Sequence, residues 1–85
     1  MKVIVVYDIP VECEKLRKEV REYLKNFGGI FVEYSVYFLD IEERDFKILV
    51  NGLRKLLKKC GGRVDIIRPC KRCFSGIKII DTTKL

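Results

Sequence analysis

Two glycine pairs, Gly28-Gly29 and Gly61-Gly62, divide the chain into pieces of similar grammar. Each pair follows a stretch with helical apolar spacing, and glycine takes the left-handed conformation that ends a helix at little cost. The first stretch, residues 13–27, aligns Cys13, Leu16, Val20, Tyr23, Leu24 and Phe27 on one stripe. The second aligns Phe46, Leu49, Val50, Leu53, Leu56, Leu57 and Cys60. Asp40 reads as its N-cap, with Glu43 as the capping-box partner. Runs rich in β-branched and aromatic residues flank both stretches: residues 2–8, 30–40 and 63–69. The middle run is long enough to bend near Glu33-Tyr34-Ser35 and return as a hairpin.

Strand, helix, hairpin, helix, strand is the order of the α+β ferredoxin-like βαββαβ sandwich. Both helices then cover one face of a four-stranded antiparallel sheet, and the right-handed crossover rule leaves few rival topologies. The 85 residues make a single domain, residues 1–85. Residues 76–80, GIKII, form an extra C-terminal strand with no place in the basic fold. They are expected to extend the sheet or to pair across a homodimer and cover an exposed edge. A chain this short buries only about 60% of its unfolded surface, so a second copy is a natural way to enlarge its core.

In this topology the end of the first strand, the start of the first helix and the end of the second helix share one end of the molecule. Asp8, Cys13 and Cys60 fall there, with Glu33, Tyr34 and Ser35 at the hairpin bend. Cys70 and Cys73 fall at the opposite end. A closed four-cysteine zinc site is therefore not expected. Without a recognisable signal peptide the chain reads as cytoplasmic, so structural disulfides are not expected either. Cys13 and Cys60 read as small apolar residues on their helices, and Cys70-Lys71-Arg72-Cys73 as a short loop. No apolar run approaches the roughly 20 residues of a membrane helix.

The chain has no histidine, which excludes a histidine general base, a Ser-His or Cys-His dyad and any histidine-held metal. Asp8 stands where an apolar strand, VIVVYDIP, meets a loop. One reading makes it a cap for loop amides or for the first helix. The other makes it a metal ligand, which requires further oxygen donors because one carboxylate holds Mg²⁺ weakly. Glu33 is a candidate within the chain, and a two-fold copy would supply a second Asp8.

The net charge is +6, from 18 Lys and Arg against 12 Asp and Glu. It suggests a polyanionic partner, nucleic acid above all. On the first helix Lys18, Arg21 and Lys25 follow helical spacing, with Lys15 and Arg17 beside them. That stripe suits a phosphate backbone. Arg54, Lys55, Lys58 and Lys59 make a second basic face. Base-reading side chains are not evident.

The segments VIVVYDI, Leu16-Arg17 and YSVY at residues 34–37 together resemble the CRISPR-associated Cas-two family. The family's glutamine before Ser-Val falls on Glu33 here, and its phenylalanine after Ser-Val on Tyr37. The resemblance implies a small ferredoxin-like homodimer that binds double-stranded DNA or RNA. It implies a catalytic Asp8 from both subunits holding Mg²⁺, with Arg17 contacting phosphate and Ser35 and Tyr37 as helpers. It also implies one of two activities: endonuclease, or non-catalytic centre of the spacer-inserting complex built with the Cas-one integrase. A third possibility, independent of the resemblance, is a regulatory or RNA-binding domain that stacks bases on Tyr7, Phe31 and Tyr37.

Overall fold

The computed structural model describes residues 1–83. The chain opens with β1 (Lys2–Asp8), passes a 3-10 turn at Val11–Cys13 and enters α1 (Glu14–Asn26). A hairpin of β2 (Ile30–Glu33) and β3 (Val36–Asp40) leads to α2 (Glu43–Leu57). Then come β4 (Arg63–Ile67) and a short α3 (Lys71–Ser75). The sheet order is β2-β3-β1-β4, and the three neighbouring pairs are antiparallel. This is the ferredoxin-like arrangement.

One face of the sheet carries the core. Val3, Val5 and Tyr7 of β1 and Tyr37 and Leu39 of β3 pack with Leu16, Val20 and Leu24 of α1 and with Leu49 and Leu53 of α2. The β1 run, apolar at nearly every position, alternates in burial: Val3, Val5 and Tyr7 are buried, whereas Lys2, Ile4 and Val6 are half-buried. A single chain thus covers only one face of the sheet. The other presents Ile4, Val6, Val36 and Phe38, with Phe74 of α3 edge-on to Phe38 at 5.1 Å.

The α1 end follows the glycine reading. Gly28 has φ 77°, its N–H donates to Lys25 O, and the Gly29 N–H donates to Leu24 O, both at 2.9 Å. That pair of bonds satisfies the last carbonyls of the helix in a Schellman pattern. At the other pair Gly62 has φ 136°, and a Cβ there would stand 3.1 Å from the Asp8 carbonyl oxygen. The second pair therefore seats the start of β4 against the end of β1.

Four expectations change. Asp40 does not cap α2; Glu42 occupies the N-cap position and makes no side-chain capping bond. The reason is register: Asp40 is still in β3, opposite Lys2, and binds Lys2 Nζ at 2.9 Å and the N-terminal ammonium at 3.1 Å. Cys13 and Cys60 are not separate apolar side chains but a disulfide with a Cα–Cα separation of 6.0 Å. The topology brings them to the same end of the molecule, and the expectation of reduced thiols rested only on compartment. Residues 70–73 are not a loop: Cys70 caps α3, and its Sγ accepts a hydrogen bond from the Cys73 N–H at 3.3 Å. Finally, residues 76–80 form no strand within the chain. Residues 78–83 lie beside residues 31–34 and share a cleft with them, without joining the sheet. The segment runs beside the β2 edge without ladder bonds to it, and pairing across two copies needs the second copy.

The Asp40 pair carries a pH dependence. Hydrogen bonds from Lys2 and then from the N-terminal ammonium hold the Asp40 carboxyl below its ordinary range. A carboxyl depressed by folding adds stability above its unfolded value, and that contribution disappears as pH falls through the folded value. Asp40→Asn is therefore expected to flatten the loss of stability below about pH 4, relative to the parent protein, in urea titrations across pH. Equal acid slopes for the two proteins would contradict this assignment.

Candidate nucleic-acid interface

Asp8 is the last residue of β1 and is exposed. In register it faces Arg63, the first residue of β4, whose guanidinium binds Asp65 at 3.1 Å. The capping reading of Asp8 loses its helix. Pro10 precedes the 3-10 turn and Cys13 precedes α1, and neither helix start has a side-chain cap bond. The carboxylate is left at a strand end, beside a cation that sequence reading did not single out. Arg63 was hidden because only the β1–β4 register brings it opposite Asp8.

Ser35 is half-buried in the turn between β2 and β3, with φ 70°, and its carbonyl accepts the Tyr7 N–H at 3.0 Å. Left-handed backbone is costly for a residue with a Cβ, so the contact across to β1 is part of what holds the turn. This bond seats the hairpin bend next to the end of β1, one residue before Asp8. Ser35 therefore belongs to the same end of the sheet as Asp8. Tyr37 does not reach that surface: it is 1% exposed, in the core beneath the helices, its ring near parallel to Tyr7 at 6.4 Å. Its place as a helper is corrected to a packing role.

Tyr7 and Tyr37 being buried against the helices also removes the base-stacking platform. Phe31 alone of that trio is exposed, and its ring meets Tyr37 edge-on. Glu33 does not join Asp8. It lies on β2, opposite Val36 after a register shift, with β3 between it and β1. Two strand spacings put the backbones about 9–10 Å apart. Among the described residues, no group of three or more His, Cys, Asp or Glu side chains converges as a metal site. One chain thus brings no converging set of carboxylates to Asp8, and a single carboxylate holds magnesium weakly.

The basic helix divides into two aspects. Arg17 and Arg21, one turn apart, face the β1 end. The Arg17 guanidinium lies 4.9 Å from the centre of the Tyr34 ring, a cation–π contact that holds it at the β2–β3 turn. Burial and the Tyr37 phenol raise the Tyr7 pKa, and Arg21 and Arg17 oppose the rise, so both cations sit within electrostatic reach of the strand end. Lys18 instead lines the groove between α1 and α2, with Lys15, Lys55 and Lys59. There Lys59 binds Glu19 at 2.7 Å. Lys25 is exposed in the last turn of α1. The expected single stripe divides into an arginine pair near Tyr7 and the β2–β3 turn and a lysine-lined groove between α1 and α2.

The sequence profile described as CRISPR associated protein Cas2 matches residues 1–77. The chain belongs to the CRISPR-associated Cas2 family. A curated relative from Desulforudis audaxviator, named CRISPR-associated endoribonuclease Cas2, is 34% identical over 83 residues, covering 98% of this chain and 76% of the relative. A second of the same name, from Ligilactobacillus salivarius, is 42% identical over 40 residues, covering 44% of this chain and 40% of that protein. A crystal structure of Streptococcus pyogenes Cas2 at pH 6.5 superposes with a TM-score of 0.82 at 18% identity, covering 95% of this chain and all of that one. At that identity the likeness establishes the Cas2 fold. The Asp8 end, the Ser35 turn and the α1 arginines all lie inside the stretch matched by the Cas2 profile. No helix among the described residues is long and apolar enough to cross a membrane.

Proposed function

We propose that this Cas2 chain is a CRISPR adaptation protein that works as a homodimer on duplex nucleic acid and cleaves phosphodiester bonds with Mg²⁺. The observation that carries the reading is Asp8: an exposed carboxylate at a strand end that caps neither helix start, opposite Arg63 in register, with Arg17 and Arg21 of α1 near the neighbouring Tyr7 at the same end of the sheet. A two-fold copy would bring a second Asp8 to face the first and complete the half-site that one chain offers. The half-covered sheet face, with Ile4, Val6, Val36 and Phe38, supports such a copy, because apolar surface of this kind is stabilised by a second layer. Residues 76–80, which join no strand of their own chain, would then pair with an edge of the second copy. The endoribonuclease name of the curated relatives supports the chemistry, and the family supports work alongside the Cas-one integrase.

When bound between the two Asp8 side chains, Mg²⁺ would supply Lewis-acid stabilisation of charge on the scissile phosphate. Asp8 holds a ligand oxygen at the end of a rigid strand. Arg17, braced on Tyr34, and Arg21 present donors to phosphate oxygens on either side of the cut. The Ser35 turn keeps the hairpin close to β1 and leaves its hydroxyl at the same end. Lys18 and Lys25 contribute sequence-independent attraction to the backbone.

Duplex binding tests the reading. Light scattering should give twice the chain mass, and affinity for a double-stranded oligonucleotide should fall steeply with salt, with a log–log slope of about −0.9 for each phosphate neutralised. Arg21→Ala with Lys25→Ala should flatten the slope by about two phosphates' worth and weaken all sequences alike. A monomer, or an affinity indifferent to salt, would overturn the proposal.

A further inference from the structure

The nucleic-acid reading leaves one chemically capable pair unused. Cys70 and Cys73 stand at the end of the sheet opposite Asp8, both as exposed free thiols. They are held together rather than merely close in sequence. Cys70 takes an extended backbone directly before α3, and its Sγ accepts the Cys73 N–H at 3.3 Å. The cap bond thus fixes the Cys70 sulfur over the turn that carries Cys73.

The other pair shows the contrast. Cys13 is buried, and its disulfide to Cys60 spans a sequence separation of 47. A bridge of that length constrains the unfolded chain strongly. A bridge between Cys70 and Cys73 would close a very small loop, gain little from chain entropy and stay open to reduction.

We propose that Cys70 and Cys73 form a redox-active dithiol that exchanges with low-molecular-weight disulfides of the glutathione class. Cys70, as thiolate, attacks one sulfur of the small disulfide; that S–S bond breaks and one thiolate leaves. Cys73 then gives its proton to solvent and attacks Cys70 Sγ, expelling the second thiolate. Two electrons pass from the protein dithiol to the small disulfide, which ends as two thiols after taking up two protons.

Electrostatics agree with this division of labour. Hydrogen bonds from the Cys73 backbone and thiol pull the Cys70 thiol below its ordinary range, and the Cys70 side chain pushes the Cys73 thiol up. The lower thiol is the better-populated nucleophile near neutral pH, and the higher one waits as the resolving group. The pair also sits at a structural junction. Phe74, in the same helical turn, packs on Phe38 of the open sheet face, and Lys2 Nζ lies 5.2 Å from its ring centre. The redox state of the pair is thereby set at the root of the C-terminal segment.

The test uses the full chain, reduced and then equilibrated with mixtures of glutathione and glutathione disulfide. The reaction is stopped with acid, free thiols are labelled with a maleimide, and peptides are mapped by mass. The expected product is an internal Cys70–Cys73 bridge without accumulated glutathione adduct. Cys73→Ser should instead trap one glutathione on Cys70, and Cys70→Ser should leave Cys73 reacting about tenfold slower or worse. Independent adducts on both cysteines of the parent protein, persistence of both thiols in excess glutathione disulfide, or equal rates in the two variants would each overturn the proposal. Circular dichroism of both variants should match that of the parent, which separates a lost thiol from a lost fold.

Discussion

Asp8→Asn is expected to reduce Mg²⁺-dependent cleavage at least about a hundredfold, since the lost metal contributes several kcal/mol to charge stabilisation. Asparagine keeps the shape of the side chain and removes the anionic oxygen. Fold and dimer should survive, because Asp8 is exposed and neither helix start uses it as a side-chain cap. A cap would have cost about 1 kcal/mol on removal; here the stability change should be smaller than that. Mixing parent and variant subunits sharpens the result. If one ion is shared by two Asp8 residues, an equal mixture of freely exchanging dimers retains about a quarter of the parent activity, and independent sites retain about half. A parent protein inert with Mg²⁺ and Mn²⁺ from about pH 6 to 9, yet supporting spacer insertion as Asp8→Asn, would remove the catalytic half of the proposal. The chain would then be a structural adaptor between integrase dimers, with Asp8 an interface residue.

Features that repeat along the chain were legible before the structure; features set by register were not. The Gly-Gly pairs, the two apolar stripes and the bend at Ser35 are local signals. They led to the βαββαβ order and to the placement of Asp8, Cys13, Cys60 and Ser35 at one end. Asp40 misled because a capping box and a strand-end ion pair look alike in sequence; only the pairing of Lys2 with Asp40 separates them. Arg63 escaped notice for the same reason. Tyr37 came in as a helper through its position in a motif, and strand alternation sent it to the core instead. The short helix at residues 71–75 was obscured by Pro69 and by a cysteine spacing that suits a turn equally well. At the level of identity, no one segment was specific. Tyr-Asp-Ile, the α1 arginine and Ser-Val became a family signature only in combination, and the match over residues 1–77 bears that combination out.

Reduction of the Cys13–Cys60 bridge is expected to destabilise the domain by about 2–4 kcal/mol. The upper figure is the chain-entropy value: a loop with a sequence separation of 47 gives about 4 kcal/mol at 25 °C. For a domain of this size, about 1 kcal/mol corresponds to roughly 4–8 °C, so the midpoint should fall by on the order of 10–30 °C. That is a large share of a total that is commonly about 5–15 kcal/mol. The bridge matters because of where it lies. It ties the turn before α1 to the segment just after α2, and Gly62, two residues beyond Cys60, packs against the Asp8 carbonyl. The same cross-link thus braces the strand end that presents the carboxylate. Cys60→Ser is the cleaner variant, since Cys60 is exposed and Cys13 is buried. It should reproduce the midpoint of the reduced parent and lose the reductant shift that the Cys13–Cys60 bridge carries. The Cys70–Cys73 pair remains reducible in that variant, so a residual shift with reductant would measure the contribution of α3 by itself. If reduced and oxidised parent melt together, the bridge adds no stability and the brace at Asp8 is supplied by packing of Gly62 and Ile9 alone.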